Sequence, residues 1–276
     1  MTEFEEALAL QRSGDGFVGQ LTEGWSIGGA VNGGVLMALG SKAMAGAVAD
    51  AGGRGETLAF SAHFLSASHA GPVRLEPSVL RVGTNLSTAQ VSLLQGDAGE
   101  ATERVRMLAT IGDLTAYSEP VHRQPSPPEM PPPDECIPTS MAPTELTERI
   151  KILHRLDIRL DPVTAGFGLG QPSLVGELRG WLRTVDDHVP DAAMLPFVLD
   201  AFPPVSFDLG AMGWAPTIEF TGHLRAHPEP GWLRVRLTTS TVAGGLLEED
   251  CMVWDSTDRV VAQSRQLAGV RMPDAS

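Results

Sequence analysis

GGVLMALGSKAMAGAVADA, residues 33–51, reads as one helix that is apolar nearly all round. Alanine, leucine and methionine are strong helix formers, and Gly52 with Gly53 supply a positive-φ stop. Val35, Leu36, Met37, Leu39, Ala43, Met44, Ala47 and Val48 leave few solvent-facing positions, so this helix belongs inside something. What surrounds it follows at once. Residues 57–67, 71–82, 85–95 and 104–114 are rich in β-branched and apolar side chains and read as strands. The turns between them, Ala70-Gly71-Pro72, Gly83-Thr84 and Gly96-Asp97-Ala98-Gly99, carry the required chemistry. Strands joined by short turns imply an antiparallel sheet, here curled around the buried helix.

Upstream, residues 1–11 suit a short acid-rich helix, and a short strand ends near Trp25. Downstream, residues 119–143 hold nine of the chain's 21 prolines, so the stretch reads as a polyproline-like connector. Beyond it, ILHRLDIRL and LVGELRGWLRTVDD read as strands. They lead to residues 194–220, MLPFVLDAFPPVSFDLGAMGWAPTIEF, and then to four more strand-like runs at 216–226, 231–243, 245–255 and 259–271. FLSASHAGPVRL in the first half lines up with HLRAHPEPGWLRV in the second at an offset near 160, with one inserted residue. The expected organisation is a duplicated α+β unit. Residues 1–118 and 144–276 each supply a helix and a sheet of about five strands, paired edge to edge. The second helix is expected to be short, since Pro196 suits its first turn and Pro203 with Pro204 stops it.

Composition narrows the chemistry. The chain of 276 residues is 42% hydrophobic and 20% charged, in the range of globular proteins, and long enough for two domains or one large one. A net charge of −14 argues against a phosphate backbone or an anionic membrane as partner. Without a leader-like segment or an apolar run near 20 residues, a soluble cytoplasmic protein is expected. Cys136 and Cys251 are far apart, outside any CxxC, and suggest neither a disulfide framework nor a zinc site. His223 and His227, four apart in a strand and turn, do not share a helical face and read as ordinary polar residues. No metal and no cofactor is expected.

Four features could carry chemistry. Gly24-Trp25-Ser26-Ile27-Gly28 matches G-x-S-x-G, the nucleophile elbow, yet the antiparallel meander that follows lacks the parallel strand-turn-helix context this motif requires. Asp200 lies inside an apolar run, and an ionised carboxylate out of water needs a hydrogen-bonding partner. It is either a helix-end residue that reaches solvent or a general base whose pKa is lifted by partial burial. The glycines of IGGAVNGG lack dinucleotide spacing. They serve close packing, or else the N–H groups of Gly33 and Gly34 at the helix start face an oxygen that gains negative charge. Gln266, in the last strand, interrupts a β-branched run and needs partners if it faces inward.

These residues resemble the bacterial acyl-CoA thioesterase II family, double hotdogs in which each half wraps a sheet around a central helix. The likeness covers most of the chain outside the connector. It implies an acyl-CoA substrate, and that Asp200 in FVLDAF, Thr217 in APTIEF and Gln266 in SRQLAGV hold and activate a hydrolytic water. Ala30 stands where the family usually has glutamine, and Ser66-Ala67 where it has Arg-Pro, departures that bear on the acyl pocket and coenzyme A contacts. The expected activity is therefore hydrolysis of acyl-CoA. The alternatives are a hotdog hydratase or dehydratase, which needs a histidine paired with an acid near the helix, a pairing that neither His63 nor His223 clearly offers, and a non-catalytic acyl-CoA binder. Open sheet edges point to a homo-oligomer.

Overall fold

The computed structural model describes residues 1–97 and 99–273; Ala98, within the turn expected at 96–99, lies outside the described residues. Helix α1 (Glu3–Ala7) opens on a capping box: the Thr2 hydroxyl accepts the Glu5 N–H at 3.2 Å while the Glu5 carboxylate takes the Thr2 N–H at 2.8 Å. It is shorter than expected, because β1 (Leu10–Ser13) begins at once and turns at Gly14, φ +58°, into β2 (Gly16–Leu21). A two-stranded ribbon follows, β3 (Ser26–Ile27) with β4 (Ala30–Val31), and delivers the chain to α2 (Gly33–Asp50). The meander β5 (Glu56–Phe64), β6 (Gly71–Arg81), β7 (Leu86–Gln95) and β8 (Thr102–Gly112) then wraps α2.

The later part contains β9 (Ile137–Pro138), α3 (Thr144–Arg149), β10 (Leu156–Leu160), β11 (Glu177–Thr184), α4 (Leu195–Val198) and β12 (Thr217–Leu224). It ends with β13 (Leu233–Thr238), β14 (Val242–Ala243), β15 (Leu246–Trp254) and β16 (Val260–Gly269). Apart from the β3–β4 ribbon, the strands form one antiparallel sheet in the order β1-β2-β6-β7-β8-β5-β12-β16-β15-β13-β11-β10-β9, with β14 beside β15. The join is β5 against β12, where Ser61 faces Thr221 and Ala62 faces Phe220. No strand edge is left bare at the middle.

One core runs beneath this sheet. Val35, Leu36, Met37, Leu39, Ala43, Met44 and Val48 of α2 are all fully buried, with Leu75, Val91, Met107 and Ile111 from the surrounding strands. Gly40 allows the closest approach: a Cβ there would overlap the Met107 sulfur. The start of α2 packs on α4, and Phe4, Trp25 and Phe197 meet edge-on or tilted, with ring centroids 5.3 to 5.8 Å apart, to lock α1 and α4 together.

Three segments differ from expectation. Of ILHRLDIRL, residues 152–154 belong to a 3₁₀ turn that starts at Lys151, and only 156–160 pair as a strand. The connector is not structureless: it has 3₁₀ turns at 133–135 and 139–141, and β9 pairs with β10. Pro138 is tolerated in a strand because β9 is the sheet's last strand, where a missing N–H breaks no ladder. Trp181 and Trp254 fix the connector by donating their indole N–H to Pro131 O at 2.9 Å and Pro125 O at 3.1 Å. Finally, 231–243 is two strands rather than one.

Candidate active site

The site grows from the first turn of α2. Asn32 is the N-cap; its Oδ1 accepts the Val35 N–H at 3.2 Å and satisfies one donor that a helix start leaves unpaired. The same side chain donates through Nδ2 to Asp200, at 2.9 Å to its carbonyl and 3.1 Å to Oδ2. Gly34 N–H donates to that same Oδ2 at 2.8 Å. Asp200 thus sits at the positive end of an 18-residue helix, held there from α4's C-terminal end.

Both glycines are dictated by this approach. A Cβ on Gly34 would lie 2.7 Å from Phe197 O, and one on Gly33 would lie 2.9 Å from Asp200 Oδ2 and 3.0 Å from the Phe64 ring. Gly34 N–H, a candidate for an oxyanion, is therefore committed to the carboxylate. Gly33 N–H has no hydrogen-bond partner among the described residues.

Burial pushes the Asp200 carboxyl up to about 7, with the Gly34 N–H and the Asn32 amide pulling the other way. The residue retains some accessible surface, and its Oδ1 accepts no hydrogen bond among the described residues. A half-ionised carboxyl with one open oxygen can take a proton at neutral pH.

Thr217 opens β12 next to β16, which carries Gln266. A bulge between Thr217 and Glu219 shifts the register, and the Thr217 hydroxyl donates to Gln266 Oε1 at 2.7 Å. Gln266 Nε2 in turn donates to Glu249 Oε1 on β15, and Glu249 Oε2 accepts the Val205 N–H at 2.6 Å. Gln266 is 8% and Glu249 3% exposed. Burial above all, with a smaller push from the Asp200 and Asp250 charges and against the Val205 and Gln266 hydrogen bonds, lifts Glu249 to about 7. Val205 follows Asp200 by five residues and α4 packs against β12, which joins the chain of hydrogen bonds to the Asp200 anchor.

Sequence reasoning missed Asn32 and Glu249. The first had a signal, an N-cap residue immediately before the buried helix. The second had one too: in LLEEDCMVW, Glu249 shares the inward parity of Leu247, Cys251 and Val253, whereas Glu248 and Asp250 do not.

Other candidates fall elsewhere. Ser26 is buried in β3 and its hydroxyl donates to Glu23 O at 2.6 Å, which is no nucleophile elbow. Neither His63 nor His223 forms a carboxylate pair among the described residues; His227 does, at 3.2 Å from Glu56, with both side chains 46% exposed. The free thiols of Cys136 and Cys251 are pushed up by burial and are poor nucleophiles. Among the described residues no group of three or more His, Cys, Asp or Glu could hold a metal. A surface cavity of 340 Å³ under Pro125, lined by His223, Arg236 and Arg265, lies on the sheet's other face from Gln266 and Glu249.

Residues 21–112 match the model of the acyl-CoA thioesterase N-terminal domain, and residues 133–270 that of the C-terminal domain. The chain belongs to the acyl-CoA thioesterase family. An uncharacterised protein of Mycobacterium tuberculosis is 31% identical over 274 residues, 92% of this chain and 90% of that one. A structure from Thermobifida fusca, provisionally described as a thioesterase II, superposes with a TM-score of 0.86 at 32% identity over 98% of both chains. A protein of unknown function with a hotdog fold, from Alicyclobacillus acidocaldarius, superposes with a TM-score of 0.83 at 21% identity over 99% of each chain, and speaks to fold alone. This acyl-CoA thioesterase has the hotdog fold and is a thioester hydrolase. No helix among its described residues is long and apolar enough to cross a membrane.

Proposed function

We propose that the protein hydrolyses acyl-CoA through a water activated by Asp200, with Thr217 and Gln266 orienting that water toward the thioester carbon. The observation that carries this reading is the Asp200 carboxyl: Oδ2 is held by Gly34 and Asn32, Oδ1 is open, and burial sets its pKa about 7. Asp200 Oδ1 takes a proton from the water as its oxygen bonds to the carbonyl carbon. The carbonyl oxygen becomes an oxyanion, which the Gly33 N–H, without a partner among the described residues, is suited to receive. Collapse re-forms the C=O and breaks the C–S bond, and the thiolate recovers the proton from Asp200. The products are the free acid and coenzyme A.

The same reading treats the chain as two hotdog repeats, 1–118 and 144–276, joined by 119–143. TLAFSAHF at 57–64 and TIEFTGHL at 217–224 support it, since Thr57 and Thr217 each open a bulge two residues before the partner register resumes. In this correspondence Ala109 takes the register place of Gln266 opposite Phe60, which leaves one hydrolytic site per chain. The sheet ends at β1 and β9 give a second copy somewhere to pair, consistent with a homo-oligomer.

Release of free thiol from short, medium and long acyl-CoAs, measured with wild type and Asp200→Asn, tests the reading. Turnover on some members that the substitution removes is the expected result. Near-normal turnover by Asp200→Asn would exclude the base assignment. Hydration of an enoyl-CoA without thiol release would put the hydratase in its place.

A further inference from the structure

Buried, acidic and absent from the sequence-based site, Glu249 lies on β15 with two donors aimed at its two oxygens, Val205 N–H at 2.6 Å on Oε2 and the Gln266 amide nitrogen on Oε1. Resting on the hydrolytic reading of Asp200, Thr217 and Gln266, we propose that Glu249 is a positioning residue. Its ionised carboxylate holds the Gln266 amide with nitrogen toward β15 and oxygen toward Thr217, so that Thr217 Oγ1 meets the attacking water as an acceptor.

The argument is one of hydrogen-bond polarity. A side-chain amide has one accepting and one donating end, and nothing in its own shape decides which end faces Thr217. A carboxylate accepts at both oxygens, so with Val205 N–H fixed on one side only the amide nitrogen can face the other. Gln266 Oε1 is thereby turned to Thr217 and takes its hydroxyl proton at 2.7 Å. The lone pairs left on Thr217 Oγ1 can only accept. A water donating one hydrogen to Thr217 and the other to Asp200 has its own lone pair free for the thioester carbon.

Were Glu249 neutral, one oxygen would carry a proton toward a donor. Gln266 would turn over, Thr217 would accept from it, and the Thr217 proton would point at the water's lone pair. The titratable groups that face Glu249 are Asp200, Asp250 and its strand neighbour Cys251; burial, with the Asp200 and Asp250 charges adding to it and the Val205 and Gln266 hydrogen bonds opposing, raises it to about 7, so this reversal falls near neutral pH.

Glu249→Gln keeps the shape and removes the double acceptor, since its own amide cannot accept from both Val205 and Gln266. Thiol-release kinetics on an acyl-CoA that the wild type turns over are expected to show kcat down about 10- to 100-fold with KM within about twofold. The acid limb of kcat should move to lower pH, because one of the two buried carboxyls that must be ionised for turnover is gone. In a Gln266→Met background the same substitution should cost less than about twofold, since the amide it orients is absent. A kcat within twofold of wild type, an unmoved acid limb, or an undiminished loss in the Gln266→Met background would each overturn the proposal.

Should Glu249→Gln not fold, the wild type itself decides: the Gln266 side-chain amide protons should be exchange-protected and follow the titration of a neighbouring carboxyl by NMR, and a fast-exchanging, pH-independent amide would overturn it. Asp200→Asn is measured alongside. Its retained turnover would remove the base reading while leaving the Glu249–Gln266 coupling to be read from the cycle, and its loss with an inert Glu249→Gln would do the reverse.

Discussion

Gly34 N–H and Asn32 Nδ2 meet on a single oxygen of Asp200, Oδ2, at 2.8 and 3.1 Å, and leave the other oxygen open. A carboxylate clamped on one side at a helix N-terminus is fixed in direction and cannot rotate its free oxygen away without breaking both bonds. The field of α2 favours the ionised form, burial opposes it, and burial wins, which is what brings the group to about 7.

The pH dependence of turnover follows. Asp200 must be ionised to take a proton, so kcat should rise with pH through about 7 and level off above it. Asp200→Asn should lower kcat about 10²- to 10⁴-fold and abolish that limb. A rate profile of the wild type that is flat between pH 5.5 and 8.5 would contradict this.

Stability should move the opposite way. The folded pKa of Asp200 stands above its ordinary 3.8, so between the two values the folded protein binds more protons than the unfolded chain. Stability from this group is full below the unfolded value and is lost as pH rises through the folded one. Asp200→Asn removes that loss and keeps an acceptor for Gly34, so its Tm should exceed that of the wild type at pH 8 and the gain should shrink toward pH 5. Thermal melts at the two pH values check it. Equal differences at both would mean the carboxyl is not strained by burial. A site that costs stability where it is active is expected of catalytic groups.

Much of this was legible in the chain before folding. The all-round apolar helix announced its own burial, and β-branched runs between glycine turns announced a meander, because both signals are local and periodic. Asp200 and Gln266 stood out singly as polar residues within apolar runs, but only the resemblance joined them with Thr217, since three residues spread over 67 positions carry no periodicity. Glu249 stayed hidden because a single glutamate beside two exposed acids looks like a solvated face until strand parity is fixed by pairing. The Pro138 strand was hidden for the converse reason: composition excludes a central strand, but an edge position removes the objection.

Gly33 and Gly34 should separate by what they touch. Gly34→Ala drives a methyl into the Phe197 backbone, which cannot yield without moving α4 away from α2, and should cost about 1–3 kcal/mol of stability together with activity. Gly33→Ala meets the Asp200 carboxyl and the edge of the Phe64 ring, both side chains that can shift. It should therefore lose kcat with a smaller change in Tm. Melting curves and kinetics on the pair check this, and equal stability losses would refute the distinction.

Asn32 joins cap and base, and two substitutions pull these apart. Asn32→Ala removes the cap and the Asp200 donor together, and should cost about 1 kcal/mol in stability with a fall in kcat. Asn32→Asp keeps a capping oxygen for Val35 N–H but sets a second carboxyl against Asp200 Oδ2. Two acids that close cannot both ionise readily, so the acid limb of the rate profile should move upward in pH by a unit or so. Stability at pH 6 should stay near that of the wild type, because one shared proton relieves the repulsion and the cap is intact. If the acid limb of Asn32→Asp coincides with that of the wild type, the group that limits turnover is not the one Asn32 touches, and Asp200 is not the base.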